Sequence, residues 1–374
     1  MEACSELKES RTEEKRNSLA LLRRQIDRLD LEIIALLKRR QAAVRPIAAV
    51  KKSLGASIYD PVREEEVLNG LSELGDDDLP AASVRAIFEE IISAGRMIQS
   101  RISVAFLGPE TSFSHEAALA IFGGSSHYRP AEDLEDVFEL VQKGECGMGV
   151  IPIENSWTGS IVKAMDLLYS FPLRVTGEKY LRVEHRLMSR EKELTDISKV
   201  FSHPAAAAQC AGWMKRNLRR VEIREVSSTS LAARLAAEEK GSAAIGNKAS
   251  AADNGLFVLA ENIQDSGANT TRFLVIGKEK TPPTGRDKTS IVFAVRHEPG
   301  SLADAIAPFA QRKINMMRIE SRPIRTRPWE YIFYVDLEGH ENDPALSEAL
   351  EETKAKCSFI KNLGSYPRGR NPWD

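Results

Sequence analysis

The sequence predicts a multidomain chain, all-α and then α/β, in three successive units, and three observations predict it. Apolar residues recur at helical spacing through roughly the first hundred positions, short apolar runs then alternate with helical stretches, and the last part reads strand, helix, strand, strand, helix, strand. With 374 residues, 42% of them hydrophobic, the chain has material for several cores. A formal net charge of −2 argues against nucleic acid or a membrane surface as the main partner.

Residues 1–18 are charged and polar (Glu2, Glu6, Lys8, Glu9, Arg11, Glu13), hold no apolar stretch of the kind a secretion signal needs, and are expected to form a disordered tail. Nowhere do roughly eighteen apolar residues run together, so no membrane span is expected. Cys4, Cys146, Cys210 and Cys357 show no CxxC or paired spacing and read as reduced thiols of a cytoplasmic protein. The six histidines show no HExxH or i,i+4 pair, so neither a metal nor a cofactor is expected.

Residues 19–101 are expected to be helical throughout. Leu19, Leu22, Ile26, Leu29, Ile33 and Leu36 step by three and four, the seam of a long packed helix. Asp60-Pro61 supplies the N-cap and first position of a second helix, which Gly75 ends, and a third runs from about Ala81 to Arg101. The first helix is too long for the others to cover, which points to an intertwined dimer. Continuing the seam past Leu36 leads to Arg40 and, about three turns on and on the same face, to Lys51. Pro46 between them predicts a kink. Cations on a packing face are costly to bury unless an anion meets them. With Asp60, Arg63 and Glu64 at the start of the second helix and Gln99 late in the third, the set suits a dicarboxylate that needs little proton transfer.

Residues 102–278 carry strand candidates at Ser103–Leu107, Met148–Ile153, Leu181–Ser189, Lys199–Phe201, Ala243–Ile245 and Arg272–Ile276, separated by amphipathic stretches such as Ile161–Tyr169 and Leu231–Lys240. That alternation predicts an α/β unit with a largely parallel sheet and a ligand site at the carboxyl ends of its strands. Four polar clusters follow strands: Gly108–His115, Glu154-Asn155-Ser156, Ser202-His203-Pro204 with Gln209, and Ser228-Thr229-Ser230. Each alone is an ordinary cap or turn. Together with Asn269-Thr270-Thr271-Arg272-Phe273 they are expected to line one cleft, where an arginine grips carboxylate and a threonine donates a proton.

A polar linker, residues 279–288, leads to residues 289–366, whose strand candidates (Ser290–Arg296, Ile314–Arg322, Glu330–Leu337, Ile360–Gly364) and helix candidates (Leu302–Arg312, Pro344–Lys354) give a ferredoxin-like βαββαβ order. Gly300 opens a helix whose backbone N–H groups suit a carboxylate, and Glu320 suits an ammonium. Residues 367–374 are expected to be a loose tail.

These motifs resemble the bifunctional chorismate mutase–prephenate dehydratases that carry a C-terminal ACT regulatory domain. Through Arg23, Arg40, Lys51, Asp60, Arg63, Glu64 and Gln99, residues 19–101 are similar to the all-helical chorismate mutase domain. The resemblance implies that Arg40 and Arg63 hold the carboxylates of chorismate, that Arg23 enters from the partner subunit, and that Lys51 and Gln99 hydrogen-bond the ether oxygen as it gains charge on the way to prephenate. Gly95 departs from the family, which usually has a serine there. Residues 102–278 resemble prephenate dehydratase, a two-lobed α/β domain of periplasmic-binding-protein-like architecture. In that resemblance Thr271 protonates the leaving hydroxyl as prephenate decarboxylates to phenylpyruvate, and Arg272 clamps a carboxylate. Asn155, Ser202, Gln209 and Thr229 line the pocket, and Glu154 and His203 tune it; Ala205 stands where the family often has glutamine. Residues 289–366 resemble the ACT domain, with Gly300, Ser301 and Leu302 and then Glu320, Ser321, Arg322 and Pro323 matching the effector motifs of phenylalanine-regulated enzymes; Ser301 replaces the usual alanine. The resemblance thus implies chorismate and prephenate as substrates, L-phenylalanine as effector, no cofactor, and a homodimer or tetramer. Three alternatives stand beside it: a dehydratase with a degraded mutase domain, an arogenate dehydratase, and a non-catalytic phenylalanine sensor.

Overall fold

The structure, a computed structural model, describes residues 2–53, 59–99, 102–218, 221–323 and 331–369, with side chains from Arg16 onward except Lys52. Arg101, Glu330, the side chain of Cys4 and residues 370–374 lie outside the described residues.

Three helices form the first unit: α1 (Glu2–Ser53), α2 (Pro61–Ser72) and α3 (Ala81–Gln99). The run expected as a disordered tail is instead helical from Glu2, a correction that fits its Glu, Lys and Arg content, since these side chains keep their freedom in a helix. Helix α1 continues through Pro46. Asp60 caps α2 as its side chain accepts the Arg63 N–H at 3.1 Å, with Pro61 at the first position. Val44, Leu68, Val84 and Ile92 are buried among the three helices, while the six seam residues from Leu19 to Leu36 stay exposed, Ile26 at 57%.

The second unit has two lobes. Its first lobe contains β1 (Ser103–Leu107), α4 (Phe113–Phe122), β2 (His127–Ala131), α5 (Leu134–Lys143), β3 (Met148–Asn155), β4 (Gly159–Ser160), α6 (Val162–Ser170) and β5 (Arg174–Arg182). The second holds β6 (Arg186–Ser189), β7 (Lys199–Ser202), α7 (Pro204–Gln209), α8 (Ala211–Asn217), β8 (Glu222–Glu225), α9 (Thr229–Glu238), β9 (Ser242–Gly246), α10 (Lys248–Asp253) and β10 (Phe257–Ala260). Strand β11 (Thr270–Gly277) then returns to the first lobe, giving sheet orders β2-β1-β3-β11-β5, with β4 on β3, and β10-β6-β9-β7-β8. The expected strand Leu181–Ser189 is two strands, broken at 183–185 where the chain crosses between lobes. Both sheets are mixed rather than largely parallel. Because β11 arrives from the far lobe, it runs antiparallel to β3 and β5 on either side of it.

The third unit is β12 (Asp287–Ala294), α11 (Ser301–Gln311), β13 (Met316–Pro323), β14 (Tyr331–Glu338), α12 (Pro344–Lys356) and β15 (Phe359–Pro367), an antiparallel sheet in the order β13-β14-β12-β15. One face packs on α11 and α12 through Ile291, Phe293, Phe309 and Leu346. The other is pressed against the first lobe, so that Val292, Ile332, Tyr334 and Leu363 share one apolar core with Ile153, Met165, Val175 and Leu274. The backbones approach closely at Gly364, where φ is +140° and an added Cβ would lie 2.3 Å from the Val175 carbonyl oxygen, so no side chain fits.

Candidate functional site

Strands β11 and β3 pair so that Thr271 lies opposite Asn155 and Arg272 opposite Glu154. Successive residues of a strand point to opposite faces, so the first pair and the second pair cannot serve the same space. On the first face, Asn155 Oδ1 accepts the backbone N–H groups of Trp157 at 2.9 Å and Thr158 at 3.1 Å, which fixes which way its amide points. Its Nδ2 therefore donates to Thr271 Oγ1 and to Asn269 Oδ1, each at 2.9 Å. Asn269 Nδ2 donates in turn to Gln209 Oε1 at 2.9 Å, and His185 Nε2 lies 2.7 Å from the same oxygen. Thr271 Oγ1 is thus held as an acceptor from Asn155, and its own hydrogen is left to donate elsewhere.

The other predicted residues of this region sit at the ends of strands and helices. Ser202 ends β7 and donates to the His203 carbonyl at 3.0 Å. His203 caps α7, its Nδ1 accepting the Ala205 N–H at 3.2 Å, and burial lowers its pKa against the pull of Glu225. Gln209 closes the same helix. Thr229 opens α9 beneath a Ser228 cap, and Ser230 Oγ lies 3.3 Å from Thr111 Oγ1, tying the first turn of the first lobe to the second lobe. Thr270 lends its backbone, with its N–H donating to Ser156 Oγ at 2.9 Å.

On the opposite face Arg272 does not hold a substrate carboxylate; that expectation is corrected. Its Nε donates to Glu178 at 2.7 Å, Nη1 to Asp336 at 2.6 Å and Nη2 to Tyr366 Oη at 3.0 Å. Lys288 Nζ reaches Glu178 at 2.8 Å, and Ser290 Oγ reaches Asp336 at 2.5 Å. Burial opposes the charge on Asp336, but Arg272 and Lys288 overcome it and hold the carboxyl below its ordinary range. Burial and the nearby Arg272 lower the Lys288 pKa. Glu154 turns the same way, its carboxylate 3.3 Å from Arg318 Nε, so it faces the third unit, on the other side of the strand from Thr271.

In the helical unit, α1 carries Arg40 and Lys51 to the other two helices. Arg40 Nη1 and Gln41 Nε2 each lie 3.5 Å from the Ile91 carbonyl oxygen. Ile91, Gly95 and Gln99 form one i,i+4 stripe of α3. An added Cβ at Gly95 would lie 3.3 Å from Gln41 Oε1 and 3.6 Å from Arg40 Nη1. Lys51 Nζ is 3.7 Å from Asp60. Glu64 pairs with Arg96 at 2.6 Å, yet burial keeps its pKa raised. Gln41 Oε1 and Gln99 Oε1 are buried with no partner among the described residues. Two expected members stand apart. Arg63 is largely exposed and pairs with Glu66 at 3.1 Å, and Arg23 lies ~25 Å up the same helix from Arg40.

In the third unit, Gly300, Ser301 and Leu302 line a cavity of about 460 Å³ with Arg296, Glu298 and Phe333. Gly300 takes φ +87° at the start of α11, a left-handed conformation that glycine accepts freely. The second motif is elsewhere on the chain, along the edge strand β13. Glu320 pairs with Arg318 and accepts from Ser160 Oγ, and Arg322 Nη2 is 3.9 Å from Asp166, so both face the first lobe. The structure does not bring the two effector motifs together within one chain.

Sequence reasoning missed His185, Arg96 and the partners of Arg272. Arg96 binds Glu64 and also donates to the Phe122 carbonyl at 2.7 Å, joining the helical unit to α4. Period-two alternation along Thr271-Arg272 was the available signal that these two side chains part company. For His185, the signal was its place in the alternation Leu181, Val183, His185, Leu187, a titratable side chain on an otherwise apolar face.

Comparison with known proteins follows the same three divisions. The chorismate mutase type II family pattern matches residues 22–100, the prephenate dehydratase pattern residues 104–281, and the ACT domain pattern residues 289–355. The chain is 40% identical over 351 residues to a bifunctional chorismate mutase/prephenate dehydratase of Aquifex aeolicus (strain VF5), covering 93% of this chain and 97% of that relative. Among solved structures, a prephenate dehydratase from Arthrobacter aurescens in complex with L-Phe is 32% identical, with a TM-score of 0.67 over 71% of this chain and 90% of that one. GqqA, described as a novel type of quorum quenching acylase, is 29% identical, with a TM-score of 0.66 over 72% of this chain and 99% of that one.

Proposed function

This chain belongs to the bifunctional chorismate mutase/prephenate dehydratase family, and on that premise we propose that it rearranges chorismate to prephenate in its helical unit and converts prephenate to phenylpyruvate in its two-lobed unit, with L-phenylalanine as feedback effector. The observation that carries the second reaction is the Thr271 hydroxyl, kept by Asn155 as a hydrogen donor. As the bond to the ring carboxylate breaks and carbon dioxide leaves, its electron pair makes the ring aromatic and expels the hydroxide at the far carbon. Thr271 supplies the hydrogen that turns this hydroxide into water, without having to carry a charge beforehand. Gln209, Ser202 and Thr229 are assigned to the walls of that cleft.

The rearrangement needs no acid or base, only a substrate held in its reactive shape with donors where charge develops. Arg40 is assigned to a carboxylate and Lys51 and Gln99 to the ether oxygen, with Asp60 and Glu64 around them. Arg63 would turn inward from its exposed pairing with Glu66. Arg23, too far along α1 to reach Arg40 in its own chain, is assigned to the site of a second copy. The uncovered leucine and isoleucine seam supports that homodimer. For the effector, the cavity at Gly300–Leu302 supports an amino-acid site, and the Arthrobacter relative was solved with L-Phe. Purified protein given chorismate, with prephenate and phenylpyruvate followed separately, tests the reading. Both products should form in sequence, and added L-phenylalanine should suppress the second. Untouched chorismate would show a degraded mutase, and inert prephenate would remove the dehydratase.

A further inference from the structure

We propose that His185 is a positioning residue of the dehydration, holding the Gln209 amide in one orientation at the junction of the two lobes. This rests on reading Thr271 and Gln209 as site residues. Two backbone groups that cannot turn around set every orientation. The backbone N–H groups of Trp157 and Thr158 point at Asn155 Oδ1, so Asn155 Nδ2 must face Asn269 and Thr271. Asn269 therefore presents its oxygen to Asn155 and its nitrogen to Gln209. Gln209 must then present Oε1 to Asn269, and His185, 2.7 Å from that same oxygen, has to be the donor. Donation thus runs from Asn155 through Asn269 to Gln209 Oε1, and His185 donates to that same oxygen from the other side, which fixes its tautomer as Nε2–H with Nδ1 bare. His185 Nδ1 is buried and has no partner among the described residues, as that tautomer allows.

His185 is also well placed to be rigid. Its N–H donates to Gln264 Oε1 at 2.9 Å, its carbonyl accepts the Ile263 N–H at 3.0 Å, and Phe113 meets its ring edge-on at 5.5 Å. Residues 183–185 and 261–269 are the two crossings between lobes, so His185 joins them through its backbone and ties them to α7 through its imidazole. Without that donor, Gln209 Oε1 keeps Asn269 as its partner among the described residues, and the amide is freer to rotate.

The test compares His185→Leu with His185→Gln in the full-length enzyme, supplied with prephenate for one assay and chorismate for the other. Leucine removes the donor; glutamine carries an N–H at a similar reach. The Leu variant should lose about tenfold in kcat for phenylpyruvate formation, the worth of one neutral hydrogen bond, with KM and mutase turnover little changed. The Gln variant should regain most of that loss. Equal turnover of the two variants, or a Leu variant at wild-type kcat, overturns the proposal. Imidazole nitrogen NMR of the wild-type protein is the second measurement and needs no variant to fold. A neutral ring protonated at Nε2 supports the proposal, and a ring protonated at Nδ1 overturns it. Thr271→Ala assayed alongside separates the two levels. Full activity in that variant removes the reading of Thr271, whereas a dead Thr271→Ala beside an unaffected His185→Leu removes only the role of His185.

Discussion

Glu178→Gln removes one negative charge from a buried group of two cations and two carboxylates, and the structure allows the consequence to be worked out. Arg272 and Lys288 are 5% and 3% exposed at their side chains, Glu178 and Asp336 0% and 8%. In the wild type the charges cancel; in the variant one positive charge is left without compensation beneath the regulatory sheet. The amide also loses its charge-assisted bonds from Arg272 at 2.7 Å and Lys288 at 2.8 Å. Breaking one partner of such a buried group costs about 3–5 kcal/mol, which for a body of this size lowers the thermal midpoint by roughly 10 °C. Calorimetry and urea unfolding of the full-length protein measure it. Glu178→Gln/Lys288→Met restores neutrality at nearly the same volume and should recover at least half of the loss, a coupling that a double-mutant cycle reads directly. A single variant within about 1 kcal/mol of wild type, or a double variant no more stable than the single, would refute the view that these charges are held by mutual compensation.

Three further outcomes are expected. Asn155→Asp turns the donor facing Thr271 into an acceptor, so the hydroxyl hydrogen swings toward the carboxylate; dehydratase kcat should fall by about 100-fold while mutase turnover persists, as paired product assays will show. Arg23→Ala and Arg40→Ala proteins should each lack mutase activity, yet mixing and reannealing them should restore about a quarter of it, because half the dimers then carry one intact site; no recovery would mean that Arg23 and Arg40 act within one chain. Asp336 has its pKa depressed in the fold, so its stabilisation is fully present above the ordinary value of 3.8 and is lost as pH falls through the lower folded value. The gap in thermal midpoint between wild type and Asp336→Asn should therefore be constant from neutral pH down to the ordinary aspartate range and close only below it.

Much of the architecture was legible because period is local. The three-and-four stepping of Leu19 to Leu36, the Asp60-Pro61 cap and the βαββαβ order are properties of short windows, and the elements formed where those windows placed them. Strands without an apolar run were not legible: β8 is exposed along its whole length, and β2 nearly so, and such edge strands carry charges that hide them. The direction of β11 was equally hidden, since only the detour through the second lobe decides which way it enters the sheet. At the site, the chemistry-bearing types were visible but their faces were not weighed. Thr271 and Arg272 are neighbours in sequence and opposites in space, one beside Asn155, the other beneath the regulatory sheet. Glu178, Lys288 and Asp336 look like solvent-facing charges in sequence, and only the packing of one sheet on another buries their side chains together. The same packing explains why the linker at 279–288 does not set the third unit apart.

Two separate sites on one chain, with the Thr271 hydroxyl belonging to the second alone, underlie the proposed function. Thr271→Ala protein given chorismate tests it most directly, with prephenate and phenylpyruvate quantified over the same time course. Prephenate should accumulate at the wild-type rate with phenylpyruvate formation abolished. Phenylpyruvate appearing at the wild-type rate, or chorismate left unconsumed by a folded variant, would contradict it.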